Sequence, residues 1–84
     1  MNIKIRKSAI KDLKQLTNQQ KQKIHKKILE LKEFPQISNV KKLTQYEPAY
    51  RLRIGNYRVL FDVDDNTIII GRVLQRKDSY KNKR

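Results

Sequence analysis

The sequence predicts one small α+β domain, a mostly antiparallel four-stranded sheet with a two-helix hairpin packed on one face, in the order β-α-α-β-β-β. Residues 50–58 alternate apolar and basic side chains around a Gly-Asn pair, which is typical of a β-hairpin. Residues 8–16 and 17–34 repeat apolar side chains at helical spacing. Neither helix is apolar enough to be stable alone, so both are expected to cover the sheet. A chain of 84 residues has room for a single domain, residues 1–84.

The first two elements are a short strand and a short helix. Ile3 and Ile5 lie two residues apart between basic residues, as in a strand with one buried face. Ser8 is a suitable N-cap for a helix that runs to about Leu16. The side chains predicted to share the core face of this helix are Ala9, Ile10, Leu13 and Leu16.

The second helix has clear start and stop signals. Thr17, with Gln20 three residues later, forms a capping-box pattern, and Pro35 ends the helix near Phe34. The apolar stripe of this helix is Ile24, Ile28, Leu31 and Phe34. Leu29 lies off the stripe, which predicts a contact on a second side of the helix.

Residues 36–48 are mixed and polar, and we predict an irregular connection with a short turn at Lys41-Lys42. The hairpin follows, and Gly55-Asn56 supplies the positive φ angles of a two-residue turn. Counting back from that turn gives four cross-strand pairs: Ile54 with Tyr57, Arg53 with Arg58, Leu52 with Val59, and Tyr50 with Phe61.

One face of this hairpin is apolar, and the other, which we name the arginine face, carries Arg51, Arg53 and Arg58. Arg53 and Arg58 are directly opposite each other, and like charges at such a pair destabilise a sheet. Folding alone does not explain this placement, whereas a bound polyanion would. We therefore expect the arginine face to point to the open side of the sheet.

The last strand contains Ile68-Ile69-Ile70, which is apolar on both faces and indicates an interior strand. Asp64-Asp65-Asn66 forms the preceding turn. A three-residue loop would place Arg72 and Arg76 on the face of Arg58, whereas a two-residue loop would place them on the opposite face. The sequence leaves both alternatives open.

Composition narrows the classes of partner and function. The net charge of +13 and a pI near 10.3 favour nucleic acid or an acidic protein as partner. The absence of cysteine excludes disulfides and thiolate chemistry. No 18-residue apolar run or signal peptide is present, so we expect a cytoplasmic protein without a membrane partner. His25, the only histidine, has no carboxylate or hydroxyl spaced to orient it, and we do not expect it to be catalytic.

Three segments together resemble the RelE toxins of type II toxin–antitoxin systems, in the RelE/ParE superfamily. They are Tyr-Arg-Leu-Arg-Ile-Gly-Asn-Tyr-Arg-Val-Leu-Phe at 50–61, Val-Leu-Gln-Arg-Lys-Asp-Ser-Tyr at 73–80, and the Ile-rich opening with Ala-Ile-Lys-Asp-Leu-Lys-Gln-Leu at 9–16. The resemblance covers nearly all of the chain. The 50–61 motif is shared with ParE relatives, so it is less specific for activity than for the superfamily.

This resemblance implies a ribosome-dependent endoribonuclease that cuts messenger RNA without a metal or other cofactor, by attack of the 2′-hydroxyl on the adjacent phosphate. By residue, it implies that Arg51 and Arg53 hold the RNA backbone and assist deprotonation of the 2′-hydroxyl. Arg58 would stabilise charge developing on phosphate, Arg76 would lie near the leaving oxygen, and Tyr80 would stack on a base. A cognate antitoxin is the implied protein partner, in a hetero-oligomeric complex.

The general base is left open. Many relatives have a histidine at the place of Gln75, and RelE itself has lysines where this chain has Arg51 and Arg53. Arginine is a poor proton acceptor, so Lys77, Tyr80 or a water could serve instead. Four lysines are predicted to bind RNA: Lys41, Lys42, Lys77 and Lys81.

Two other functions compete with RNA cleavage. One is a ParE-like inhibitor of DNA gyrase, and the other is a non-catalytic module that binds RNA or the ribosome. Arg76 with Tyr80 favours cleavage, because together with the arginine face they would complete a phosphate site.

Overall fold

A computed structural model describes residues 1–43 and 49–75 of the chain. Its elements in chain order are β1 (Asn2–Ile5), α1 (Lys7–Lys14), α2 (Asn18–Glu30), a 3₁₀ turn (Leu31–Glu33), β2 (Val40–Lys42), β3 (Tyr50–Ile54), β4 (Tyr57–Asp64) and β5 (Thr67–Gln75). They confirm the predicted α+β class and the order of its elements, with β2 as an additional strand. Within the described residues, no helix is long and apolar enough to span a membrane.

The sheet has five strands in the order β1-β5-β4-β3-β2, not the four that were predicted. β1 runs parallel to β5, and the other neighbouring pairs are antiparallel. The predicted irregular connection is wrong at Val40–Lys42, where β2 pairs with β3 and no turn forms. An edge strand needs pairing on one side only, which allows this short polar segment to join the sheet. Residues 44–48 lie outside the described part of the chain.

The hairpin of β3 and β4 has the predicted register. All four predicted pairs are present, including Arg53 opposite Arg58. Of the two turn residues only Gly55 has a positive φ, 56°, which is the φ pattern of a type II′ turn. The apolar face of the hairpin is core, since Leu52, Ile54, Val59 and Phe61 are all buried.

Helix α2 begins with the predicted capping box. The backbone N–H of Gln20 donates to Thr17 Oγ1 at 3.2 Å, and the backbone N–H of Thr17 donates to Gln20 Oε1 at 3.4 Å. Both bonds satisfy donors that the first helical turn leaves unpaired.

Replacing Thr17 with alanine is expected to lower the free energy of unfolding by about 1 kcal/mol, because a cap acceptor is lost. Thr17→Ser keeps the acceptor and is the matched control. Urea unfolding followed by circular dichroism measures the difference, and equal midpoints for the two variants would contradict this role of the cap.

The predicted stripe of α2 faces the sheet. Ile24, Ile28 and Leu31 are at most 1% exposed. At the end of the stripe, the ring of Phe34 lies edge-on to Tyr50 at 5.2 Å and to Phe61 at 6.0 Å between centroids. These aromatic contacts pack the end of the α2 stripe against the β3–β4 hairpin.

Helix α1 differs from the prediction in its start and in its buried face. Arg6, not Ser8, is the N-cap residue, and it makes no side-chain cap bond. Ser8 lies within the helix, and its Oγ donates to the carbonyl oxygen of Gly71 at 2.7 Å. Ala9 is fully buried as predicted, but Ile10 is 42% exposed and does not belong to the core.

The turn between β4 and β5 has two residues, Asp65 and Asn66, since Asp64 pairs with Thr67. A two-residue turn was expected to place Arg72 on the face opposite to Arg58, but a bulge further along β5 changes this result. Phe61 pairs with Ile70 but Leu60 pairs with Arg72, so Gly71 is an extra residue in β5. The bulge returns Arg72 to the face of Arg58, where a three-residue loop would also have placed it. As predicted, β5 is an interior strand, between β1 and β4.

Candidate nucleic-acid interface

Cross-strand pairing assembles the arginine face. Arg53 on β3 lies opposite Arg58 on β4, and Arg51 lies one row away, opposite Leu60. All three alternate with buried residues of the hairpin core, so they lie on the side of the sheet away from that core. The strands therefore bring three guanidinium groups to one small surface.

The three arginines differ in exposure. Arg53 is exposed and Arg51 is half-buried, whereas Arg58 is only 9% exposed. The expectation that the whole arginine face points to an open side is thus wrong for Arg58, because this guanidinium is largely withdrawn from water. Charged donors in such surroundings interact more strongly with an anion than donors in bulk water do.

Arg51 is the most unusual of the three. The pKa of Arg51 is lowered, mainly by burial of its guanidinium. The positive charges of Arg58 and then Arg53 lower it further. The guanidinium stays charged at neutral pH, because arginine is not deprotonated in proteins. Its Nε atom is buried and has no hydrogen-bond partner among the described residues. A buried charged donor without an acceptor is costly, and a phosphate oxygen would supply that acceptor.

The two predicted RNA-binding lysines of β2 take opposite faces. Lys41 lies opposite Arg51 and extends the row of basic residues across the arginine face. Lys42 lies opposite Tyr50, which packs against the core, so it is on the helix side of the strand. Both side chains are exposed.

Four other predicted site residues lie outside the described part of the chain: Arg76, Lys77, Tyr80 and Lys81. The last described residue is Gln75, which pairs with Tyr57 and donates from Nε2 to the Tyr57 hydroxyl at 3.2 Å. Tyr57 packs against the core, so Gln75 lies on the helix side of the sheet and not with the arginines. His25 is exposed on α2. Residues 1–43 and 49–75 contain no group of three or more metal-ligating side chains.

Sequence reasoning missed a partly buried polar contact between α1 and β5. Asp12 accepts hydrogen bonds from Arg72 Nε at 2.8 Å, from Arg72 Nη2 at 3.1 Å and from the backbone N–H of Val73 at 2.9 Å. Sixty residues separate the partners, so no local spacing indicates the contact. The isolated glycine within β5, Gly71, is a signal that could have indicated the bulge beside it.

A second feature lies on the opposite edge of the sheet. Between the edge strand β1 and α2 is a depression of about 310 Å³. Its lining residues are Met1, Asn2, Ile3, Ile5, His25, Ile28, Leu29 and Lys32. Leu29, which was predicted to contact something on a second side of α2, is 44% exposed here. Among the described strands, β1 has a neighbour on one side only, so the depression combines an open strand edge with a helical surface of Ile28 and Leu29 flanked by His25 and Lys32.

Comparison with known proteins gives consistent matches over most of the chain. Residues 3–80 match the model of a family described as the ParE toxin of type II toxin–antitoxin systems. Toxin RelE3 of Methanocaldococcus jannaschii is 34% identical over 84 residues, an alignment that covers 95% of this chain and 96% of the relative.

Solved structures agree with the sequence matches. The toxin in the RelB–RelE antitoxin–toxin complex from Methanococcus jannaschii superposes with a TM-score of 0.77 at 32% identity, covering 94% of this chain and 96% of that one. The archaeal RelE–RelB complex from Pyrococcus horikoshii gives a TM-score of 0.72 at 28% identity, with 89% and 93% covered.

Proposed function

Because the chain belongs to the ParE toxin family of type II toxin–antitoxin systems, within the RelE/ParE superfamily, we propose that it is a toxin that cleaves messenger RNA on the ribosome and so inhibits translation. The observation that carries the proposal is Arg51, whose buried Nε has no acceptor within residues 1–43 and 49–75 and which lies near Arg53 and Arg58. Such a site suits an oligoanion whose phosphate enters the cluster. A toxin acting on ribosomes works in the cytoplasm.

The chemistry proposed for this site is transesterification. The 2′-oxygen forms a bond to the adjacent phosphorus, the bond from phosphorus to the 5′-oxygen breaks, and the products are a 2′,3′-cyclic phosphate and a 5′-hydroxyl end. Negative charge grows on the phosphate oxygens between these events, and fixed guanidinium donors stabilise it. We assign this role to Arg58 and Arg51, with Arg53 and Lys41 holding the flanking backbone.

Proton transfer needs other groups. An arginine cannot accept the 2′-hydroxyl proton at neutral pH, and Gln75 has no basic nitrogen and lies on the other face of the sheet. We therefore place the base, which takes the 2′-hydroxyl proton, among Lys77, Tyr80 and a bound water. Arg76 is placed beside the leaving 5′-oxygen, where its charge stabilises the alkoxide until water protonates it. Lys77 and Lys81 are proposed to contact the RNA backbone.

The deciding experiment maps 5′ ends of a translated message after the protein is added, with and without ribosomes. Cuts that follow the reading frame, appear only with ribosomes and leave 2′,3′-cyclic phosphates support the proposal. Intact RNA together with trapped gyrase–DNA complexes would support a ParE-like gyrase inhibitor instead. Intact RNA with ribosome binding alone would indicate a non-catalytic module.

Substitutions at Tyr80 separate stacking from proton transfer. If the ring only stacks on a base, Tyr80→Phe is expected to keep most of the cleavage rate, while Tyr80→Ala loses about 1–3 kcal/mol of RNA binding. If the hydroxyl transfers a proton, Tyr80→Phe is expected to be as slow as Tyr80→Ala. Cleavage rates at saturating ribosomes distinguish the two, and full activity in both variants would remove Tyr80 from the site.

We further propose that a cognate antitoxin covers this toxin in a hetero-oligomeric complex. Both related crystal structures named above contain RelE bound to RelB. In this chain, the depression between β1 and α2 is suited to such a partner, because an extended segment can add to a strand edge while apolar side chains cover Leu29.

A further inference from the structure

The bulge at Gly71 decides which face of the sheet the end of β5 presents. With the two-residue turn at Asp65-Asn66 and no bulge, Gly71 would lie opposite Leu60 and Arg72 opposite Val59. Arg72 would then point at the core. The extra residue instead places Arg72 opposite Leu60 and Val73 opposite Val59. Val73 is 5% exposed and contributes to the core in this register.

The bulged part of β5 lies just beyond the end of a neighbouring strand. β1 pairs with β5 only as far as Ile5 opposite Ile70. The backbone groups of β5 that follow on this side need other partners, because a bulge disrupts the ladder locally. Helix α1 supplies them, starting with the backbone N–H of Arg6, which donates to the Ile70 carbonyl oxygen at 2.9 Å.

Two side chains of α1 form hydrogen bonds with the backbone of the bulge itself. Ser8 Oγ donates to the Gly71 carbonyl oxygen at 2.7 Å, and Asp12 Oδ2 accepts from the Val73 N–H at 2.9 Å. The Asp12 side chain is only 16% exposed, so water competes weakly for it. We name this pair of side chains, Ser8 and Asp12, the α1 clamp.

The α1 clamp also holds a side chain. Asp12 binds Arg72 through both of its oxygens, a paired arrangement that fixes the orientation of the guanidinium. Helix α1 therefore binds the backbone of β5 on both sides of Arg72, at Gly71 and Val73, and also binds the Arg72 side chain. On the arginine face, this register places Leu74 directly opposite Arg58, where Val73 would lie without the bulge.

We propose that Ser8 and Asp12 are positioning residues for RNA cleavage, because they hold the Gly71 bulge and so fix which residue of β5 lies against Arg58 on the arginine face. This proposal rests on the proposed ribonuclease function. Neither side chain touches the RNA; both act through the register of β5.

The test compares Asp12→Ala with Asp12→Asn. The asparagine retains an oxygen that can accept the Val73 N–H, whereas alanine removes it. For Asp12→Ala we expect the maximal single-turnover cleavage rate on programmed ribosomes to fall about tenfold to a hundredfold, as for a misplaced catalytic group. The ribosome concentration giving half-maximal rate should stay within about twofold, since the RNA-holding residues remain. Asp12→Asn should recover most of the rate.

The register is measured directly by NMR. Backbone NOEs between Val59 and Val73 report the bulged register, and NOEs between Val59 and Arg72 report the alternative. Wild type and Asp12→Asn should show the first, while Asp12→Ala should lose it or show both. Asp62→Ala is the matched control, because Asp62 also accepts a backbone N–H, from Ala49 at 2.7 Å, but its bond is on the β3 side of β4 and involves neither α1 nor the bulged residues of β5. It should keep the wild-type rate and register.

Three results would overturn the proposal: an unchanged rate in folded Asp12→Ala, a slow Asp12→Ala with the wild-type register, or a loss that appears only in the half-maximal concentration. If Asp12→Ala does not fold, Ser8→Ala carries the same measurements, with a several-fold loss of rate and weakened Val59–Val73 NOEs expected. A wild-type protein that leaves RNA intact would refute the ribonuclease function. The NOEs would still decide whether the α1 clamp holds the bulge.

Discussion

Arg58→Ala is expected to slow RNA cleavage by about 10²–10³ while leaving the fold intact, which is the loss typical of removing one preorganised donor to transition-state charge. Arg58 is 9% exposed, and so its guanidinium acts in surroundings where water screens it poorly. It lies opposite Arg53 and lowers the pKa of Arg51, which places it at the centre of the arginine face.

Single-turnover cleavage of a ribosome-bound message measures the effect, with thermal unfolding as the check on folding. Arg6→Ala is the matched control, since Arg6 is exposed at the start of α1 and its removal changes the net charge equally. Arg58→Lys keeps the charge but not the planar fork and should fall between wild type and Arg58→Ala. A folded Arg58→Ala protein that cleaves at the wild-type rate would end its catalytic assignment.

The hairpin was predictable because its signals are local. Alternation in β3 and the Gly55-Asn56 turn together determine every pair in the register, down to Arg53 opposite Arg58. The capping box at Thr17 is equally local and is confirmed. In each case the residues that specify the structure lie within a few positions of one another, so tertiary contacts did not need to be known.

Other predictions failed where partners distant in sequence decide the structure. Ser8 has the chemistry of an N-cap, but its hydroxyl instead bonds Gly71, 63 residues away. Ile10 fits a helical stripe, yet it is exposed, because α1 packs beside the end of β5 and only part of that stripe reaches the core. β2 has no apolar alternation of its own, and its pairing with β3 provides the order that the sequence pattern lacks.

The three residues of the arginine face could be predicted from the sequence, but their burial and hydrogen bonding could not. Arg51, Arg53 and Arg58 follow from the hairpin register alone. The burial of Arg58 depends on side-chain packing, which alternation does not encode. The same holds for the Nε of Arg51, which has no partner in the part of the chain that the structure describes. The bulge could have been predicted in part. A glycine within a strand often marks a bulge, and the core residues Ile70 and Val73 are three positions apart instead of two.

Antitoxin binding is expected to stabilise the toxin strongly and to depend steeply on salt. A partner that binds only the folded toxin raises its free energy of unfolding by about 4 kcal/mol at a thousandfold excess over the dissociation constant. The net charge of +13 indicates an acidic partner segment, with carboxylates near Arg51, Arg53, Arg58 and Arg76. Electrostatic steering should make association fast at low ionic strength and much slower at high ionic strength.

The docking site of the antitoxin is tested by placing a charge at either of two apolar residues that are similarly exposed. Leu29→Asp places a charge in the depression beside β1 and should weaken binding, whereas Ile10→Asp places the same charge on α1 outside it. We expect only the first to reduce the antitoxin's effect on the melting temperature. Association rates over a range of salt concentrations complete the experiment. A partner that binds equally fast at high salt and leaves the melting temperature unchanged would refute the charge argument, and equal losses in both variants would exclude the depression as the docking site.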